Sequence, residues 1–506
     1  MKEPKQRFIL NLRLNTEPYQ EDILNKRFEI GRQIYNAVLG KALKRYNEMI
    51  KTRKWRNNQS ALNKICKSSK GDEKRLGEQC RKYHYIKNNM LKGFSLSEYS
   101  LHKDVKSMQH HFKKHIDAFT AQKIASRVWT SLNDNLFGKG EGVRFKPYFK
   151  GLNSLEGKSN NTGIRYDLKN NLFLWNGLEV STMLDINNQY EVDAIRNKIC
   201  FCRIKRKFIR CKYKYILQLV LDGAAPIKIN KTTGEIKNDT GTGRCGIDIG
   251  TQIVAYAGDY DVKLYELAPR VQDIENQKRR ILRYMDRSKR ASNPQNFKEN
   301  GTIKKGIKLE WNFSNKYIKA KNNLKDVYRK QADIRQQDHN IMANEILNNC
   351  NIVCVEQMNF KGLQLKSKKT EKNDHGKFKK KKRFGKSLAN KAPSMFLTIL
   401  KNKLKAKGGL YYEVNTRELK ASQYNHLDRK YNKKKLNQRW NYFNYNDNDI
   451  KVQRDMYSAY LIKNVNEDLS SINNEQCTRD FDNFLEMHNK EILRLQGLNN
   501  LSSMGV

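Results

Sequence analysis

Three acidic residues are set far apart in the chain, each among apolar neighbours. Asp248 interrupts the run Arg244-Cys245-Gly246-Ile247-Asp248-Ile249-Gly250-Thr251. Glu356 ends Ile352-Val353-Cys354-Val355, and Asp455 stands at the head of Met456-Tyr457-Ser458-Ala459-Tyr460-Leu461-Ile462. A charge buried without a partner costs several kcal/mol, so each acid needs a cation or a water-filled cleft. Taken singly, each has an ordinary explanation. Asp455 suits the positive end of a helix dipole, and Glu356 could cap a strand or pair with a lysine. Taken together, the three suit a carboxylate cluster holding two divalent ions about 4 Å apart. Hard oxygen ligands select Mg²⁺ or Mn²⁺. One ion would generate hydroxide for in-line attack on a phosphodiester, and the other would stabilise the leaving oxygen.

The charge balance identifies what such a cluster would act on. The 506 residues carry 100 Lys and Arg against 52 Asp and Glu, a formal net charge of +48. An enzyme for small metabolites gains nothing from that much self-repulsion, whereas a polyanion neutralises it, so nucleic acid is the expected partner. A membrane surface is the other cationic-protein partner, but no stretch reaches the roughly 18 apolar residues of a spanning helix. Met1 to Arg13 reads as a charged strand rather than a secretory signal. Nine irregularly spaced cysteines imply a reducing, cytoplasmic compartment and no disulfide framework. Cys200 with Cys202, and Cys350 with Cys354, lie in strand-like runs and are expected to be small buried hydrophobes. Lys379-Lys380-Lys381-Lys382-Arg383 is either a solvated loop or an arm that orders on phosphate.

The elements that must position the acids follow from periodicity. Residues 6–15 alternate as a strand, giving a first segment over 1–17. Residues 18–140 carry apolar positions at threes and fours, including Ile23, Phe28, Ile34, Val38, Ile124 and Val128, and predict a basic helical module. Residues 141–240 return to short strands with Arg203, Lys212 and Lys214 on an alternate face. They predict a small antiparallel barrel or curved sheet to which the first strand also belongs, ending in a polar linker over 224–242. Within 241–475, the Asp248 strand turns back at Gly250-Thr251. A basic stretch over 265–348 breaks at Pro294, Gly301 and Gly306 into two helices, and Leu410 to Val414 is a further strand. Asp455 heads an amphipathic helix, and 476–506 is a polar tail.

The three acidic segments, in this order, resemble the split RuvC nuclease domain of the transposon-encoded TnpB proteins and their relatives, the miniature type V CRISPR effectors. Gly246-Ile247-Asp248-Ile249-Gly250 resembles the first motif, Val353-Cys354-Val355-Glu356-Gln357-Met358-Asn359 the second, and Gln453-Arg454-Asp455-Met456-Tyr457-Ser458-Ala459 the third. The resemblance implies an α/β RNase H-like nuclease domain preceded by a wedge β-barrel with a helical recognition insertion. It implies Asp248, Glu356 and Asp455 as catalytic metal ligands, with Asp248 bridging two Mg²⁺ or Mn²⁺ ions. It further implies a Mg²⁺-dependent endodeoxyribonuclease of the bacterial cytoplasm, with a guide RNA and double-stranded target DNA as partners.

One departure from the family is plain. Its second and third motifs usually flank two Cys-x-x-Cys pairs of a zinc ribbon, and residues 415–443 contain no cysteine and only His426. One histidine cannot close a tetrahedral site, so no zinc is expected, and Tyr424, Trp440, Tyr442 and Phe443 are expected to hold the segment by packing. Gly-Ile-Asp-Ile-Gly-Thr also opens the phosphate loop of sugar kinases and actin-like ATPases. Here Gly408-Gly409 lacks the preceding acid of a second phosphate loop, and no adenosine motif follows. An RNA-guided DNA-binding regulator that does not cut, and a structure-specific nuclease without a guide, remain as rivals.

Overall fold

Leu10, Leu12 and Leu14 alternate along the first strand and are all buried, which draws that strand into the middle of a sheet. The computed structural model describes residues 6–68, 73–136, 142–230, 232–367, 370–373, 376, 378, 384–434 and 438–497. The basic run Lys379 to Arg383 lies outside them, as do residues 498–506. The chain forms two compact units, 1–227 and 228–506.

In the first unit, β1 (Arg7–Asn15) is followed by five helices: α1 (Pro18–Lys51), α2 (Arg53–Ser68), α3 (Glu73–Gly93), α4 (Glu98–His111) and α5 (Ala118–Leu136). The chain returns as β2 (Ser154–Glu156), β3 (Arg165–Asp167), β4 (Leu172–Trp175) and β5 (Leu178–Met183). After the short α6 (Gln189–Ile195) come β6 (Ile199–Ile209) and β7 (Lys212–Asp222). All strand pairs are antiparallel, in the order β2-β6-β7-β1-β5-β4-β3. Among the described residues β2 and β3 remain as edges, so of the expected barrel or curved sheet the chain forms the curved, open sheet; both edge strands are only 3 residues long.

Helix α1 starts where Pro18 sets the first turn and Glu17 with Gln20 forms a capping box. Its Leu24, Phe28, Tyr35 and Val38 share one core with Ile124 and Val128 of α5 and with the sheet. Buried Arg27 crosses that core, donating to the Trp175 and Asn176 carbonyl oxygens at 2.6 and 2.9 Å. Burial lowers its pKa to about 10. Arg203, expected on the cationic side, is instead taken up by Glu156 at 2.6 Å.

In the second unit, β8 (Arg244–Ile249), β9 (Ile253–Ala257) and β10 (Val262–Glu266) form an antiparallel meander. Helices α7 (Val271–Ala291) and α8 (Asn315–Leu347) follow, on either side of the predicted break. Next come β11 (Ile352–Glu356), α9 (Phe360–Leu363), α10 (Gly385–Lys391), α11 (Pro393–Ala406), β12 (Leu410–Val414) and α12 (Thr416–Leu419). Two hairpins, β13 (Tyr424–Asn425) with β14 (Lys430–Tyr431) and β15 (Trp440–Tyr445) with β16 (Asn448–Gln453), lead to α13 (Arg454–Lys463) and α14 (Asn474–Gln496). The sheet order is β10-β9-β8-β11-β12, with β8, β11 and β12 parallel.

One face of β8, Cys245, Ile247 and Ile249, packs on Met342 and Ile346 of α8 and Phe396 and Leu400 of α11. The other face carries Gly246 and Asp248 and meets α13. That helix was expected to be amphipathic, but every residue from Met456 to Lys463 is buried. The sheet covers one side, while α14 and the hairpins cover the other with Phe443, Phe481 and Phe484, and a helix covered all round has no face left for polar residues.

The segment expected to be a polar tail contains α14, whose Cys477, Phe481, Phe484, His488 and Leu495 recur at helical spacing and are buried. Its Glu491 accepts the Leu264 backbone N–H of edge strand β10 at 3.0 Å and an ion pair from Arg494 at 2.6 Å. Of the cysteine pairs, Cys202, Cys350 and Cys354 are buried as expected, and Cys200 is half-buried.

Gly246 is the tightest point of this packing. A Cβ there would run into the Ala459 carbonyl oxygen and the Lys463 backbone nitrogen. Because backbone cannot step aside as a side-chain tip can, Gly246→Ala is expected to destabilise the second unit by about 1–3 kcal/mol. Urea unfolding of the full-length protein checks this; an unchanged midpoint would show that α13 does not seat on β8 at this residue.

Candidate active site

The position of each acid follows from the sheet and the Gly246 contact. Strands β8 and β11 are parallel neighbours with Val355 opposite Ile247, so Glu356 lies beside Asp248. Asp248 is two residues beyond Gly246 on the same face, about 6.6 Å along the strand. Asp455 is four residues before Ala459 on α13, about 6 Å along the helix. With Ala459 seated on Gly246, equal offsets along the two elements carry Asp455 to the level of Asp248. All three acids line one cavity of about 490 Å³, together with Lys433, Lys434, Arg439 and Arg454.

The electrostatics of the acids follow from their burial and proximity. Burial, reinforced by the charges of Glu356 and Asp455, holds the Asp248 carboxyl well above the ordinary carboxylate range. Burial also raises Glu356, opposed by hydrogen bonding to Asp248 and Thr416, while the Asp455 charge pushes it further up. Asp455 is neutralised differently. Arg439 Nη1 donates to its Oδ2 at 3.2 Å, and Arg454 Nε and Nη2 donate to its Oδ1 at 3.2 and 3.1 Å. Arg454 is itself braced by the Gln438 carbonyl oxygen at 2.9 Å. Among the described residues no group of three or more His, Cys, Asp or Glu side chains stands arranged to hold a metal ion, and Asp455 faces Arg439 and Arg454.

Helix α13 is anchored so that Asp455 sits in its first turn. The Gln453 side chain accepts the Met456 N–H at 2.8 Å as its N-cap, and the Gln453 N–H donates to His488 Nε2 of α14 at 3.0 Å. The Arg454 N–H donates to the Arg439 carbonyl oxygen at 2.9 Å.

The cysteine-free segment is held largely by its aromatic residues. His426 is buried, with Nδ1 2.6 Å from the Tyr457 hydroxyl and its ring against Phe481. Burial lowers its pKa to about 4. Tyr424 and Phe443 join the same core, and Trp440 lies under Lys451 with Nζ 4.1 Å from the ring centroid. Tyr442 does not pack as expected: it points outward from β15, 72% exposed, because it alternates with buried Asn441 and Phe443.

The structure therefore brings Asp248, Glu356 and Asp455 together. The cleft cations Lys433, Lys434, Arg439 and Arg454 were not singled out from sequence. Only the adjacency of Arg454 to Asp455 hinted at them; the rest arrive through the hairpins.

No family model matches the sequence, and no curated protein matches it. Among solved structures, the chain is similar to one in a cryo-EM structure of the Cas12f1–sgRNA–target DNA complex, with 12% identity, a TM-score of 0.40, and coverage of 91% of this chain and 99% of that one. It is also similar to a chain of the CRISPR-Cas12f ternary complex, with 14% identity, a TM-score of 0.26, and coverage of 88% and 82%.

Proposed function

We propose that this protein is a guide-RNA-directed DNA endonuclease that cuts phosphodiester bonds at the cleft of Asp248, Glu356 and Asp455. The observation that carries this is the convergence of three acids from distant segments on one cavity that also holds four cationic side chains. Burial and the neighbouring carboxyls disfavour ionisation of Asp248 and Glu356, a penalty that a hard divalent cation would offset. Carboxylate oxygens suit Mg²⁺ or Mn²⁺, which Asp248 and Glu356 would hold, and Asp455 would join them only on leaving Arg439 and Arg454. When bound, such ions make a water nucleophilic at neutral pH and stabilise the leaving oxygen.

The chain's own cations have a complementary part. Arg439 and Arg454 would exchange the Asp455 carboxylate for a phosphate of the entering strand, a matched partner for a guanidinium. Lys433 and Lys434 extend the positive lining. The mixed sheet with acids on its central parallel strands supports assigning 241–475 as the split RuvC domain. The curled sheet and helices of the first unit support the wedge and recognition assignments. Guide dependence rests on the motif resemblance together with the +48 charge. Among the described residues no helix is long and apolar enough to cross a membrane.

The salt-bridged state of Asp455 favours a second reading, an RNA-guided DNA binder that does not cut. The two separate on a labelled matched DNA duplex and the full chain with its co-purifying RNA. A nuclease cuts only with Mg²⁺ or Mn²⁺, and Asp248→Ala slows cutting on the order of 10³-fold or more, since such residues act as a unit, while RNA binding is nearly unchanged. Binding without cutting by the parent protein would favour the regulator.

A stability measurement tests the charge argument independently. Folded Asp248 keeps its proton to higher pH than in the unfolded chain, so the folded protein binds more protons in that window and loses stability as pH rises through it. In chelator-treated protein at neutral pH, Asp248→Asn is expected to raise Tm, by roughly 2–4 °C for each kcal/mol recovered in a domain of this size. Mn²⁺ should raise Tm in the parent and leave the variant unmoved. A variant that melts lower than the parent contradicts the buried-charge account.

A further inference from the structure

A second pocket opens beside the acid cleft. It has a volume of about 360 Å³ and shares Glu356 and Met358, at the end of β11, with that cleft, while its Tyr411 and Glu413 stand on the α11 face of the sheet and Asp248 on the α13 face. This is at the small end of the roughly 300–1,000 Å³ typical of ligand pockets. Its far wall is Tyr411 on edge strand β12 with Phe360 and Leu397, and its mouth carries Lys401 and Glu413.

The lining differs in kind from that of the acid cleft. The cleft gathers Lys433, Lys434, Arg439 and Arg454, which suits phosphate. In the second pocket Lys401 Nζ lies 3.1 Å from Glu413 Oε1 and 4.7 Å from the Tyr411 ring centroid. The cation is thus already balanced, and with Glu356 beside it the pocket has no net attraction for an anion. What remains is an aromatic and aliphatic wall with a donor, an acceptor and the Ser394 and Thr398 side chains around it. Such surroundings suit a flat, uncharged, hydrogen-bonding group.

We propose that this pocket receives an unstacked nucleobase of the DNA strand being cut, from a nucleotide flanking the phosphodiester at Asp248 and Glu356. This rests on the nuclease reading above. The base stacks on Tyr411, its edge meets the Lys401–Glu413 pair, and the phosphate is thereby registered against the acids. Tyr411 is a positioning residue, not a catalytic one.

The test uses the full chain with its co-purifying RNA and matched DNA duplexes. The cut is first mapped in Mg²⁺, and single abasic residues are then placed at successive positions around it in the cut strand. Affinity is measured in Ca²⁺ and cutting in Mg²⁺. One position is expected to stand out, with binding weakened about tenfold, equivalent to about 1.4 kcal/mol. Tyr411→Leu should weaken binding of intact DNA similarly and respond little to the abasic residue at that position, because both changes remove one contact. A flat abasic scan with cutting intact overturns the pocket and leaves the nuclease reading standing. Failure of the folded protein to cut in Mg²⁺ or Mn²⁺ overturns the nuclease reading and the subsite with it. The abasic scan needs no variant, so misfolding of Tyr411→Leu does not blunt it.

Discussion

The second unit depends on a contact made without a side chain. Where Gly246 lets the backbone of α13 lie directly on β8, strand and helix are brought closer than any larger residue allows. Everything chemical about the site is measured from that point. Two residues along the strand lead to Asp248, and one helical turn back leads to Asp455. Glu356 needs no such contact, since the parallel register with β8 places it. The outer side of α13 is covered by Phe443, Phe481 and Phe484, which completes its burial.

That geometry creates an electrostatic problem which is solved in two ways. Asp248 and Glu356 hold their protons more tightly. Asp455 is matched by Arg439 and Arg454. The same guanidiniums that neutralise an acid are of the kind that pairs with phosphate, so the cleft sets carboxyls and guanidiniums side by side.

Much of this was legible in the sequence because it is local. A lone acid in an apolar strand, a helical pair broken at Pro294 and the glycines after it, and the absence of cysteine over residues 415–443 can each be seen within a short window. What was not legible depends on distant partners. Whether Val452 to Ile462 is amphipathic depends on what covers its outer side, and that cover comes from α14 and the hairpins. Tyr442 and Phe443 are similar in composition, and only the phase of β15 decides which one is buried. The cleft lysines belong to a polar run with nothing to distinguish them until the fold brings them to the acids. The open edges of the first sheet turn on strand lengths at a seam, which hydrophobic alternation does not reveal.

Helix α14 has a consequence for how the protein is made. It supplies Phe481, Phe484 and Leu495 to the core beneath α13, and through Glu491 it satisfies an edge strand that leaves the ribosome far earlier. A nascent chain carrying β8 to β12 therefore has its first two acids but no stable platform for the third. The support beneath α13, and with it the placing of Asp455, is complete only after synthesis has passed Leu495.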